Sequence, residues 1–177
     1  MPRFLITAAF LLPTAGFAAG SDDSTPPTQT NTTSSCENGQ VWSDDQNKCV
    51  NPQSGALDDD TLYDAARELA YAGQFDETLK VLAAMSDPLD DRVLTYKGFV
   101  HRKQGDGALG NAYYRQAIAR NPYNLLARSY MGQGFVESGE MAAARAQLTE
   151  IRQRGGRNTW PEIALRMAVE DGRTSSY

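Results

Sequence analysis

Residues 97–122 read KGFVHRKQGDGALGNAYYRQAIARNP, and the punctuation of that stretch decides how the chain folds. Two helix-like runs flank Gln104-Gly105-Asp106, a break of the kind that ends one helix and starts the next. The break recurs on either side, with Gly73, Gly105 and Gly139 standing 32 and then 34 residues apart. Ala66, Gly98 and Gly132 repeat at the same two spacings, seven residues earlier in each unit, where a small residue lets paired helices approach closely. Leu69, His101 and Phe135 form a third equivalent set, Leu82, Tyr114 and Leu148 a fourth, and Met85, Ala117 and Ile151 a fifth. Five sets in one register imply three helix-pair units and an all-α fold.

Outward from this core, Asp58-Asp59-Asp60 places negative charge at a helix start, where the helix dipole favours it. Leu62, Ala65, Ala66 and Leu69 follow at helical spacing, and a second helix is predicted from Phe75 to Met85. Asp87-Pro88 and Asn121-Pro122 each read as an N-cap with a first-turn proline. Thr159-Trp160-Pro161-Glu162 reads as a capping box opening a last helix to about Glu170. Seven helices are expected, with no strand-like alternation after Val50.

The chain here resembles the tetratricopeptide repeat family. Lys97-Gly98, Gln104-Gly105-Asp106, Ala117-Ile118 and Asn121-Pro122 carry the resemblance in the second unit, and Gly132, Phe135, Gly139 and Ala144 in the third. The first unit departs from the pattern with Ala66 for Gly and Thr78 for Ala, and Gly110 stands where the family expects Ala. The resemblance covers Asp59 to about Gly156 and implies a solenoid of three helix pairs, with the helix after Trp160 as its cap, in a domain spanning 57–171 and followed by a flexible tail, 172–177. It also implies that the first helix of each pair lines a concave groove for a partner's peptide or helix. Carried onto this sequence, the groove positions are Tyr63, Arg67 and Tyr71, then Arg92, Tyr96, Phe99, Arg102 and Lys103, then Tyr130, Gln133 and Glu137. Aromatics interleaved with arginine are the residues that interfaces favour.

Charge is unevenly spread. From Leu57 to Asp91 there are ten acidic and two basic residues; from Arg92 to Arg128 there are seven basic residues and a single acid, Asp106. A groove at the junction would steer an acidic segment or a free carboxylate toward Arg92, Arg102 and Lys103. The alternative is mutual neutralisation by surface ion pairs, each worth little.

The N-terminal third reads differently. Arg3, the apolar run Phe4 to Leu12 and Gly16-Phe17-Ala18 suit a cleaved export signal over 1–18, leaving no stable membrane span. Residues 19–35 are polar and predicted to be a disordered linker. Asn31-Thr32-Thr33 matches a glycosylation acceptor, which matters only in a eukaryotic source. Export would join Cys36 to Cys49, the only cysteines, around two short strands at Gly39–Trp42 and Lys48–Val50. That disulfide hairpin, 36–50, either caps the neighbouring helices with Trp42 or offers Trp42 to a ligand; the cap is the favoured reading.

Composition closes several function classes. A chain of 177 residues holds about one domain plus appendages. A net charge of −5 argues against nucleic acid as a partner. One histidine and two cysteines leave little for a metal centre or a haem attachment, and no phosphate loop or nucleophile elbow is present, so no enzyme, cofactor, metal or catalytic residue is expected. His101 falls on a packing position, and Asp58-Asp59-Asp60 lacks the ligand pattern of a calcium loop. The sequence thus leads to an exported, periplasmic adaptor or assembly factor that binds another envelope protein in its groove. A cell-wall glycan module built on the Cys36–Cys49 hairpin, with the repeats as a spacer or self-associating array, is the alternative.

Overall fold

A computed structural model describes residues 25–174; the expected signal peptide, 1–18, lies outside the described residues, as do 19–24 and 175–177. The chain is mostly helical. It runs α1 (Asn31–Ser34), β1 (Val41–Ser43), β2 (Lys48–Val50), a 3-10 turn (Pro52–Ser54), α2 (Asp59–Tyr71), α3 (Phe75–Leu82), α4 (Asp91–Lys103), α5 (Gly107–Arg120), α6 (Leu125–Glu137), α7 (Met141–Gln153) and α8 (Trp160–Asp171). The seven helices expected from the repeat are α2 to α8. No described helix is long and apolar enough to cross a membrane.

The helices pack most extensively in sequential pairs, α2 on α3, α4 on α5 and α6 on α7, while α2, α4 and α6 also touch in series and α8 closes on α6 and, less extensively, on α7. Gly73, Gly105 and Gly139 sit at positive φ in the turns within these pairs, a conformation that costs a side-chain-bearing residue dearly. Gly98 and Gly110 explain the tight α4–α5 contact: a Cβ at Gly110 would lie 2.9 Å from the Gly98 carbonyl oxygen. The glycine at 110, where the resemblance expects alanine, follows from that approach. One core joins α2 to α6, with Leu62, Leu69, Leu82, Leu94, Tyr114 and Leu126 among its members.

The helix starts differ from expectation. Asp87-Pro88 and Asn121-Pro122 form turns instead of caps, and the caps come three residues later. Asp90 accepts from Arg92 N at 2.8 Å, and Asn124 accepts from Ala127 N at 2.7 Å. The leading Asp and Asn each close an Asx turn, with Leu89 N donating to Asp87 and Tyr123 N to Asn121. The capping box at Thr159 does not form: its hydroxyl donates to the Gly156 carbonyl, and Glu162 instead takes Arg152 at 2.6 Å. The helix from Phe75 ends at Leu82, three residues short of Met85.

The hairpin is as expected in kind: β1 and β2 pair antiparallel, with Trp42 opposite Cys49, and Cys36 is bonded to Cys49. Its strand Val41–Ser43 starts and ends later than the predicted one. Val41 is buried in the main core, so the hairpin is fastened to the helices. Lys80 Nζ donates to the Asn38 carbonyl at 2.6 Å, adding a tie to α3.

Of the segment expected to be a disordered linker, 19–35, the described part, 25–35, is held against α2. Glu68, buried on α2, accepts from Thr30 N at 2.8 Å, Thr30 Oγ1 at 2.6 Å, Thr33 N at 3.1 Å and the Thr33 hydroxyl. Arg67 Nη2 donates to the Thr25 carbonyl at 2.9 Å. A carboxylate surrounded by donors from one segment is what holds a stretch with too few apolar groups to dock otherwise.

Candidate functional site

Of the expected groove positions, Tyr63, Tyr71, Tyr96, Phe99 and Tyr130 come together where α2, α4 and α6 meet, on the face that the resemblance makes the inner one. Tyr63 and Tyr96 meet edge to face at 5.7 Å, Tyr96 and Tyr130 likewise at 6.0 Å, and Tyr71 stacks on Phe99 at 5.7 Å. Their hydroxyls join too. Tyr71 and Tyr130 share a hydrogen bond of 2.7 Å, and Trp160 Nε1 donates to the Tyr71 hydroxyl at 3.3 Å. Trp160 opens α8 and Tyr71 closes α2, so the first and last helices of the array meet at this point.

This packing changes what the inner face can offer. Tyr63, Tyr96, Phe99, Tyr130 and Gln133 are all at most 1% exposed, and Arg67 and Arg102 are nearly as buried. An array with wider spacing between its first helices would leave such rings open, whereas here they form the joint between helices. Tyr71, Arg92 and Lys103 remain half-buried, and Glu137 is exposed.

The cations are distributed unequally. Arg92 is engaged by acids of the preceding block, Asp60 at 2.7 Å and Asp90 at 3.1 Å, and Arg120 meets Asp87 at 2.8 Å. The acidic and basic blocks therefore neutralise each other in part. Burial would raise the Asp90 carboxyl, but the Arg92 side chain and backbone N–H outweigh it and hold the group below its ordinary value.

Arg102 and Lys103 behave differently. Both lie over the Phe99 ring, at 5.6 and 5.7 Å. Arg102 Nη1 pairs with Glu137 at 2.5 Å and its Nε donates weakly to the Tyr114 hydroxyl at 3.4 Å. Burial works against the Arg102 charge, yet Tyr114 and Glu137 more than restore it and its pKa is raised. The Lys103 ammonium is pushed down, first by burial and then by the Arg102 charge beside it. Arg102 Nη2, Gln133 Oε1 and Asn111 Oδ1 are buried without a hydrogen-bond partner among the described residues. Glu137 also accepts from Thr174 Oγ1 at 2.7 Å, so one exposed acid serves several donors at the C-terminal ends of α4 and α6.

No family model, curated protein or solved structure matches this chain. What the face does must be read from its own chemistry.

His101 stacks on Tyr113 at 5.5 Å in a packing position. The acid run is used locally: Asp58 caps α2 through Thr61 N, Asp59 accepts from Ser86, and Asp60 pairs with Arg92. Among the described residues no group of three or more His, Cys, Asp or Glu could hold a metal ion.

Two contributors escape a reading of the sequence. Trp160 reads as a helix start, and nothing local says that it reaches 89 residues back to Tyr71. Glu68 reads as one helix charge among many, although it is the anchor of the N-terminal segment.

A second feature lies along α2. A cleft of about 600 Å³ opens between Thr25–Thr32, the hairpin and α2, with Trp42, Asp44, Asp64, Arg67 and Glu68 on its walls.

Proposed function

We propose that this protein is an exported adaptor of the tetratricopeptide repeat type, working in the bacterial envelope, whose inner face binds a segment of another protein. The observation that carries the reading is the cationic end of that face. Among the described residues Arg102 keeps a buried N–H without an acceptor while pairing with the exposed Glu137, and Lys103 stands beside it over the same ring. A buried donor left unmade costs about 1–3 kcal/mol, which a partner's carboxylate can recover. Glu137 is solvent-exposed and exchangeable for that carboxylate, and the half-buried Tyr71 supplies adjacent aromatic surface. Oxidation at Cys36–Cys49 supports an oxidising compartment.

Binding that draws on Lys103 weakens with ionic strength, because its half-exposed charge is screened beyond about a Debye length of 8 Å at physiological salt. The test is capture from an envelope extract at low salt, comparing the native chain with Lys103→Gln and with Arg102→Gln/Lys103→Gln. Loss of the same captured protein in both variants, with helicity unchanged, supports the reading. Unchanged capture overturns it.

A further inference from the structure

We infer a second binding site, away from Arg102 and Lys103, in the cleft between the disulfide hairpin and α2, and we assign it to a neutral saccharide. Three walls build it. Thr25–Thr32 forms one, held to α2 by the Glu68 bonds and by Arg67; the hairpin, closed by Cys36–Cys49, forms the second; α2 forms the third. All three are tied together, so the cleft is largely preformed, as ligand sites are.

Trp42 is the residue on which the inference turns. It is half-buried on β1, opposite the disulfide-bonded Cys49, and its indole Nε1 donates to Asp44 at 2.9 Å. The ring is thus fixed at the cleft instead of filling the core, where Val41 takes that role. A fixed indole offers a large apolar face at little entropic cost, and one face of a pyranose ring presents only C–H groups. Around the ring the walls are polar and exposed: Thr28, Asn31, Asp44 and Asp64. Neither the Thr28 hydroxyl nor the Asn31 amide makes a side-chain hydrogen bond among the described residues, and carboxylates and amides are suited to hydroxyl donors.

Charge selects among polar ligands. Among the described residues of the walls, Asp44, Asp64 and Glu68 face one cation, Arg67, so these walls are net negative. Nucleotides, phosphates and uronic acids are disfavoured by that field. The polar lining disfavours a lipid tail as well, because burying it would strand several hydrogen-bonding groups. A neutral polyhydroxylated ring satisfies both constraints.

The two tryptophans make the test clean, since Trp42 is at the cleft and Trp160 is at the inner face beside Tyr71. The full chain, disulfide intact, is titrated with the β-1,4-linked tetramers of N-acetylglucosamine and of glucose, and with a hexuronic acid tetramer. Each is taken to about 10 mM, where a millimolar site fills, and the two indole N–H signals are followed by NMR. The Trp42 signal is expected to move saturably with at least one neutral tetramer while Trp160 stays still. Calorimetry should then show affinity falling about tenfold or more in Trp42→Ala and largely kept in Trp42→Phe. A Trp42 signal unmoved by both neutral sugars overturns the proposal, as does equal movement with the uronic acid. Neither result bears on the inner-face reading, which concerns Trp160's side of the molecule.

Discussion

Replacing Gly98 by alanine puts the close packing of the helix pairs under direct strain. A Cβ built at Gly98 would lie 2.5 Å from Tyr114 Cε1, 2.7 Å from Tyr114 Cδ1 and 3.0 Å from the Gly110 carbonyl oxygen. The Tyr114 ring cannot swing aside, for it is fully buried, 6.4 Å from the Tyr130 ring and bonded to Arg102 through its hydroxyl. The Gly110 contact is backbone and cannot yield without moving α5. Alanine gains about 1 kcal/mol of helix propensity over glycine. Overpacking of a filled core costs about 1–3 kcal/mol, and contact with both a trapped ring and a backbone oxygen places this site at the upper end. The expected net loss is about 1–2 kcal/mol, or a Tm lower by roughly 2–8 °C for a folded region of this size. Gly107→Ala is the matched control: it lies in the first turn of α5 with no atom within 4 Å of the added carbon. It should hold or raise Tm. Thermal and urea unfolding followed by circular dichroism report both variants, with constant m-values required. If Gly98→Ala melts at or above the native chain, α4 and α5 are not packed as described.

Three further outcomes follow from other parts of the molecule. Glu68→Gln keeps the shape but presents an NH₂ to donors of Thr30 and Thr33, so hydrogen exchange of the amides from Thr30 to Ser35 should rise about tenfold or more with little change in Tm; unchanged protection would refute the anchor. Reducing Cys36–Cys49 removes a constraint worth about 3 kcal/mol in the chain-entropy model, and amide exchange at Val41 and Val50 should approach that of an open chain while α4 to α7 stay protected. Equal protection before and after reduction would show that the hairpin does not depend on its bridge. Asp90 is held below its ordinary value by Arg92, so its contribution is complete above the unfolded pKa near 4 and is lost as pH falls through the lower native one. The Tm advantage of the native chain over Asp90→Asn should therefore be constant above about pH 5 and shrink below about pH 4, and an advantage independent of pH would exclude the Asp90–Arg92 interaction as its source.

Helix number and pairing were legible because they are carried by period: glycines at 73, 105 and 139 and small residues at 66, 98 and 132 are local signals repeated three times. Helix starts were less legible, since an Asp-Pro or Asn-Pro step satisfies the statistics of a cap and those of an Asx turn equally. Only the later Asp90 and Asn124, each followed by a free helical N–H, distinguish them. That the rings of Tyr63, Tyr71, Tyr96, Phe99 and Tyr130 touch one another follows from their repeat spacing, but their depth was not readable. Whether Tyr96 and Tyr130 face solvent or each other depends on how far apart α4 and α6 sit, a distance no single helix encodes. The order of Thr25–Ser35 was hidden for a related reason. Its composition is that of a linker, and what holds it is a carboxylate on another element, reached 35 and 38 positions along the chain.

The inner face, at its cationic end, is proposed to hold a segment of another protein. A photoreactive residue placed at 71 or at 103, with a third at the exposed outer position 115, tests it most directly in the native envelope, read by mass spectrometry of the crosslinked peptides. Positions 71 and 103 are expected to capture the same carboxylate-rich segment and 115 is not, and the capture should fade as salt is raised. Equal capture from 115, or none from 71 and 103, would contradict it.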